Sequence, residues 1–153
     1  MSIDVRSLVE SAIRAQIVAY GTGTTANTLI SSDTAQLQHP GVRILTDDVA
    51  EEITPGSGIF RVPLAVDMVF KADLENAPQT SAFVQAVRQA FYRNDLDPRP
   101  MVSLAKQLTA AAAPGTLTVM GVVPRGDGPV RNEGLNREYV YRLLFDFHCT
   151  PRQ

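Results

Sequence analysis

The stretch IFRVPLAVDMVFK, residues 59–71, alternates with a period of two. Phe60, Val62, Leu64, Val66, Met68 and Phe70 fall on one side, and Arg61, Pro63, Ala65, Asp67 and Lys71 on the other. Successive side chains of a strand point to opposite faces, so this stretch reads as a strand with one buried face and one largely wet face. The end of the chain repeats the pattern. Tyr139, Tyr141, Leu143, Phe145, Phe147 and Cys149 share one face, while Glu138, Arg142, Asp146 and His148 mark the other. These two strands are expected to carry most of the core. Pro63 donates no ladder hydrogen bond, which places its strand at a sheet edge or at a bulge.

Working outward, Pro55, Gly56, Ser57 and Gly58 form a turn, preceded by an extended segment from about Val42. Leu117 to Val123 is a further β-branched run. Four strands in two hairpins follow from this. At the N-terminus Val5, Leu8, Val9, Ala12 and Ile13 make a helical stripe that Ser2 or Asp4 can cap. Between the hairpins Phe83, Val84, Val87 and Phe91 make a second stripe, started by Thr80 or Ser81. Asp97 to Pro100 break that helix, and Met101, Leu104, Ala105 and Leu108 begin a shorter one. The expected fold is α+β: a mainly antiparallel four-stranded sheet with helices packed on one face, in the order α-β-β-α-α-β-β.

A length of 153 residues suits one domain, 1–153, with a polar loop or arm at about 21–40 that lacks periodicity. Apolar residues make up 44% and charged residues 20%, a globular and not a disordered composition. Fourteen basic against sixteen acidic residues leave a net charge of -2, too little cationic surplus for a dedicated nucleic-acid or anionic-membrane binder. The single cysteine, Cys149, closes no intrachain disulfide, and a reducing compartment fits best. Charged residues interrupt the N-terminal apolar run, and no stretch reaches about 18 apolar residues, so neither a signal peptide nor a membrane span is expected.

The chemical motifs are weak. Gly21, Gly23 and Ala26 match the spacing of a dinucleotide fingerprint but follow a helix instead of a strand. Arg125, Gly126 and Asp127 spell an integrin-recognition tripeptide, which the flanking Pro124, Gly128 and Pro129 make an exposed hairpin turn. His148 and Cys149 are adjacent on a strand and point to opposite faces, so they form no local dyad. Cys149, on the face of Phe145 and Phe147, reads as a core thiol. Asp47, Asp48, Glu51 and Glu52 place four carboxylates within six residues, without the alternating ligands and central glycine of a calcium loop. They read as a solvated or interface-lining cluster. No catalytic, cofactor-binding or metal-binding set is expected.

Taken together, IFRVPLAVDMVFKAD, the helix TSAFVQAVRQAF and the ending YVYRLLFDFHCTP resemble the small tail-terminator and tail-completion (head-tail joining) proteins of tailed bacteriophages. The resemblance covers about residues 40–150. It is carried by the extended His39-Pro40-Gly41-Val42-Arg43-Ile44, by Arg61, Val62, Leu64 and Val66, and by Arg137 before the aromatic last strand. The resemblance implies a structural virion protein and no enzyme. Its subunits form a homo-oligomeric ring, commonly a hexamer, that caps the tail tube protein and docks the head-side connector or neck protein. It implies a place in the virion tail or neck after synthesis in the bacterial cytoplasm. DNA passes through the ring without specific binding, which makes Asp47, Asp48, Glu51 and Glu52 candidate channel-lining residues, since carboxylates repel phosphates. The alternatives are another neck or baseplate adaptor and, from a different class, a small hydrolase or metal-dependent enzyme using His39, Asp67 or the acidic cluster.

Overall fold

A computed structural model describes residues 4–20, 28–30, 33, 40–46, 50–71, 78–91, 101–112, 115–130 and 138–151. Helix α1 (Val5–Tyr20) leads into strands β1 (Thr28–Leu29), β2 (Gly41–Thr46), β3 (Glu51–Glu52) and β4 (Phe60–Lys71). Helices α2 (Pro78–Arg88) and α3 (Met101–Ala111) follow, then strands β5 (Leu117–Val130) and β6 (Glu138–Pro151). The strands form one six-stranded sheet in the order β1-β2-β4-β6-β5, with β3 also paired to β4. Strands β1 and β2 run parallel, and every other pair is antiparallel.

The α+β composition agrees with the sequence reading, but the expected four-stranded sheet and its element order do not. Two short strands lie outside that reading. Thr28 and Leu29, inside the polar 21–40 stretch, pair with Val42 and Arg43. Glu51 and Glu52 pair with Arg61 and Phe60. A two-residue strand shows no alternation, and its pairing is set by the neighbour it meets.

Two further expectations are corrected. Strand β4 is interior, flanked by β6 on one side and by β2 and β3 on the other, so Pro63 is not on an edge strand. Its tolerance has a local reason. Strand β2 pairs β4 as far as Leu64 and β3 takes over at Arg61, so Val62 and Pro63 fall where the partner changes. Second, Pro124 to Pro129 form no hairpin turn. They continue β5, paired with β6 out to Val130, and register shifts at Val119/Gly121 and Pro124/Gly126 absorb the irregular residues.

The core lies between the helices and one face of the sheet. Val9, Ile13 and Ile17 of α1, Val84 and Val87 of α2, and Leu104 and Leu108 of α3 are buried against the even face of β4 and the Leu143, Phe145, Phe147, Cys149 face of β6. Phe70 packs edge-on against Phe83 at 5.4 Å. Gln16, buried in α1, donates to the Ala90 carbonyl at 2.8 Å, which ties α1 to the end of the α2 segment. Of the polar stretch, Asp33 is held by Arg14 at 2.8 Å and by the Ile30 N–H at 2.9 Å.

Asp4 caps α1 as expected, accepting from the Ser7 hydroxyl at 2.7 Å and the Ser7 N–H at 3.4 Å. The Ser7 hydroxyl bond is the main cause that holds the Asp4 carboxyl below its usual range. A lowered folded-state pKa adds stability above the unfolded value and loses it as pH falls through the folded one. Asp4→Ala is therefore expected to cost about 1 kcal/mol near neutral pH. The deficit should shrink when thermal melts are repeated at progressively more acid pH; a deficit that holds constant would show that the carboxylate is not the source.

Candidate functional site: the helix-free face of the sheet

The helical core packs against one face; the opposite face gathers the odd-numbered residues of β4 and the even-numbered residues of β6, of which Asp67, Val69 and Val140 are buried and Leu144 is exposed. Register orders them in rows. Arg43, Asp67 and Arg142 lie side by side, the next row is Leu45, Ala65, Leu144 and Gly126, then Pro63, Asp146 and Val123, then Glu51, Arg61, His148 and Gly121. An apolar centre thus sits between ionic flanks. Leu144 is 39% exposed and Val123 45%, and the bulge residue Met120 of β5 is 54% exposed.

Two carboxylates of this face, Asp67 and Asp146, are buried beneath arginines, while Glu51 at its end is exposed. Asp67 is buried, and Arg142 donates to both of its oxygens, Nε at 2.6 Å and Nη2 at 2.9 Å. That bond raises the Arg142 pKa further. Asp146 is also buried and accepts from Arg125 at 2.6 Å. Arg43 stands beside Asp67 in register, and its Nε is buried without a hydrogen-bond partner. A pocket of about 270 Å³ opens among Arg61, Pro63, Arg125, Leu144 and Asp146. Both guanidinium groups at this pocket are already paired, Arg61 with Glu51 and Arg125 with Asp146, so the pocket is charge-balanced.

Both sheet edges are blunted in part against strand addition. Strand β1 is two residues long. At the other edge the Val119 N–H of β5 donates to the Thr109 hydroxyl of α3 at 2.9 Å, and that hydroxyl donates to the Ala105 carbonyl. Pro124 and Pro129, with the two bulges, blunt the rest of β5.

The sequence-derived candidates are distributed as follows. Asp47, Asp48, His39 and the Gly21, Gly23, Ala26 motif lie outside the described residues. Glu51 pairs with Arg61 at 2.7 Å. The Glu52 carboxylate accepts from the N–H groups of Gly56 and Gly58. Asp67 has its oxygens committed to Arg142. Arg125 and Asp127 are not offered as a loop tripeptide, because Arg125 binds Asp146 while Asp127 pairs with Arg88 and accepts from the Tyr141 hydroxyl. Cys149 is fully buried, and burial pushes its thiol up to about 12, far from a nucleophilic thiolate at neutral pH. Among the described residues no three or more His, Cys, Asp or Glu side chains converge to hold a metal ion, and no helix is long and apolar enough to cross a membrane.

Sequence reasoning gave Leu45, Val123 and Leu144 no site role, and read Arg43 only within an extended segment and Arg125 only within a turn. One signal was available: the doublet Leu143-Leu144 puts a leucine on the face that alternation reserves for polar residues. The sequence matches no protein-family model and no curated protein.

Proposed function

We propose that this chain is a structural subunit that works through protein contacts: it assembles into a ring that ends a bacteriophage tail tube and joins it to the head-side connector. The observation that supports assembly is the helix-free sheet face, whose centre leaves Leu144 and Val123 open to solvent between arginines. Exposed apolar groups set among charged ones mark a surface that meets another protein. With both edges blunted in part, this face is the favoured surface for association. The phage assignment itself rests on the resemblance of residues 40–150. The same resemblance assigns the carboxylates at 47, 48, 51 and 52 to the neighbourhood of the channel.

Light scattering on a gel-filtration peak of the full chain should give a mass several times that of one copy, and electron microscopy with the tube protein should show caps at tube ends. A chain that stays monomeric at high concentration and leaves tube ends bare overturns the proposal. Rings that bind a neck or baseplate component but never a tube end would assign it instead to another adaptor position in the virion.

A further inference from the structure

Arg43, Asp67 and Arg142 stand in one row on β2, β4 and β6, and Gly128 of β5 completes it. Two guanidinium groups flank a single carboxylate, so positive charge is in surplus there. The neighbouring rows carry no charge: Leu45, Ala65, Leu144 and Gly126 on one side, Gly41, Val69, Val140 and Val130 on the other. Apolar surroundings strengthen the attraction of a charge for its counter-ion.

The donors of this row are only partly spent. Arg142 gives Nε and Nη2 to the two oxygens of Asp67, and its Nη1 meets no acceptor among the described residues. The Arg43 side chain makes no hydrogen bond or ion pair among the described residues, and its Nε is buried without a partner. A guanidinium does not shed its proton to relieve that state, so these donors call for an acceptor from outside the chain. The approach is open on the β5 side of Arg142, where a side chain at Gly128 would meet no atom within 4 Å of its Cβ.

We propose that this row binds a phosphate group, held over Asp67 by the Arg142 Nη1 on one side and the Arg43 guanidinium on the other. Asp67 is then a positioning residue, which fixes the Arg142 fork and leaves its outer nitrogen for the ligand. Arg43 and Arg142 stand two strand spacings apart, about 10 Å between backbones, so they reach a ligand from opposite sides. A phosphate has oxygens enough to meet both, whereas a planar carboxylate is matched by a single guanidinium fork. The chain as a whole carries -2 and has little else to hold a polyanion, so a small phosphate, free or as a monoester, suits the row better than a nucleic-acid backbone. The site does not depend on ring assembly.

Thermal melting of the full chain near neutral pH, in inorganic phosphate and in sodium chloride at matched ionic strength, tests this. A ligand that binds only the folded state raises the midpoint as its concentration passes its Kd. The native chain should melt higher in phosphate, with a rise that follows such a curve. Arg43→Met removes a side chain that makes no ion pair, so it should keep the native midpoint in chloride and weaken the apparent affinity for phosphate about tenfold or more. Arg43→Gln repeats the measurement with a polar side chain, so that a loss shared by both variants belongs to the missing guanidinium. Lys71→Met removes a cation of the same face, four residues along β4 from Asp67, and should bind phosphate as the native chain does. A rise that both Arg43 variants keep is a general salt effect and overturns the site. An equal loss in Lys71→Met traces binding to diffuse surface charge and overturns it too, and acetate that raises the midpoint as much as phosphate overturns the choice of ligand. A short DNA duplex that binds the native chain and not Arg43→Met supports the site with the phosphodiester as its source; a duplex that binds neither, beside a phosphate response lost in Arg43→Met, supports it with the small phosphate.

Discussion

Phe145→Ala is expected to lower the unfolding free energy by about 3–5 kcal/mol, the range for truncating a large buried aromatic. Phe145 is fully buried in β6, paired in register with Leu64 of β4. Its ring lies 5.0 Å from that of Phe91 and 5.8 Å from that of Phe147. The deletion therefore leaves a cavity where the sheet meets the end of the α2 segment, and rigid neighbours fill it only in part. Leu144→Ala is the internal control. It lies one residue away on the opposite face, partly exposed, and its cost should stay below about 1 kcal/mol. Urea melts of the two variants side by side decide the matter. Equal midpoints would mean that the two faces of β6 are assigned the wrong way round.

The same alternation shows what the sequence discloses and what it hides. The core faces of β4 and β6 were legible because twelve paired positions repeat a period of two, but the face expected to be largely wet also buries Asp67, Val69, Val140 and Asp146. Helix α1 and its Asp4 cap were legible for the corresponding helical reason. The start of α2 was misplaced at Thr80 or Ser81 although Pro78, well suited to a first helical position, stood in view. Strands β1 and β3 could not be read at all, since two residues carry no periodicity and their ladders are long-range. Strand β5 was cut short because Pro124, Gly126, Gly128 and Pro129 have the composition of a turn. Two bulges and a 14-residue neighbour hold them in a strand instead.

The candidate site was less legible, for a related reason. Charge clusters stand out in a sequence, so Asp47, Asp48, Glu51 and Glu52 drew notice. Yet Glu52 spends its charge on a turn and Glu51 meets Arg61. The face that shows apolar groups to solvent is assembled from single residues of four strands, Leu45, Ala65, Leu144 and Gly126, and only register brings them into one row. Register is a property of the folded sheet, so no local window contains it.

The row beside that one yields the second large effect. Arg142→Ala is expected to cost about 3 kcal/mol, near the low end for breaking a buried ion pair because the arginine itself is about a third exposed. The cost arises at Asp67, 1% exposed and left without the guanidinium that now meets both oxygens. Arg43 stands across from Asp67 in register, but its Nε is already buried without a partner, and the intact structure shows no bond between the two. Replacing both members, Asp67→Leu with Arg142→Leu, should recover most of the loss, since an apolar pair of similar size needs no compensating charge. The comparison is a double-mutant cycle from urea melts. A double variant as unstable as Arg142→Ala would trace the loss to packing around β4 and β6. A single variant near native stability would mean that solvent, or Arg43, already satisfies Asp67.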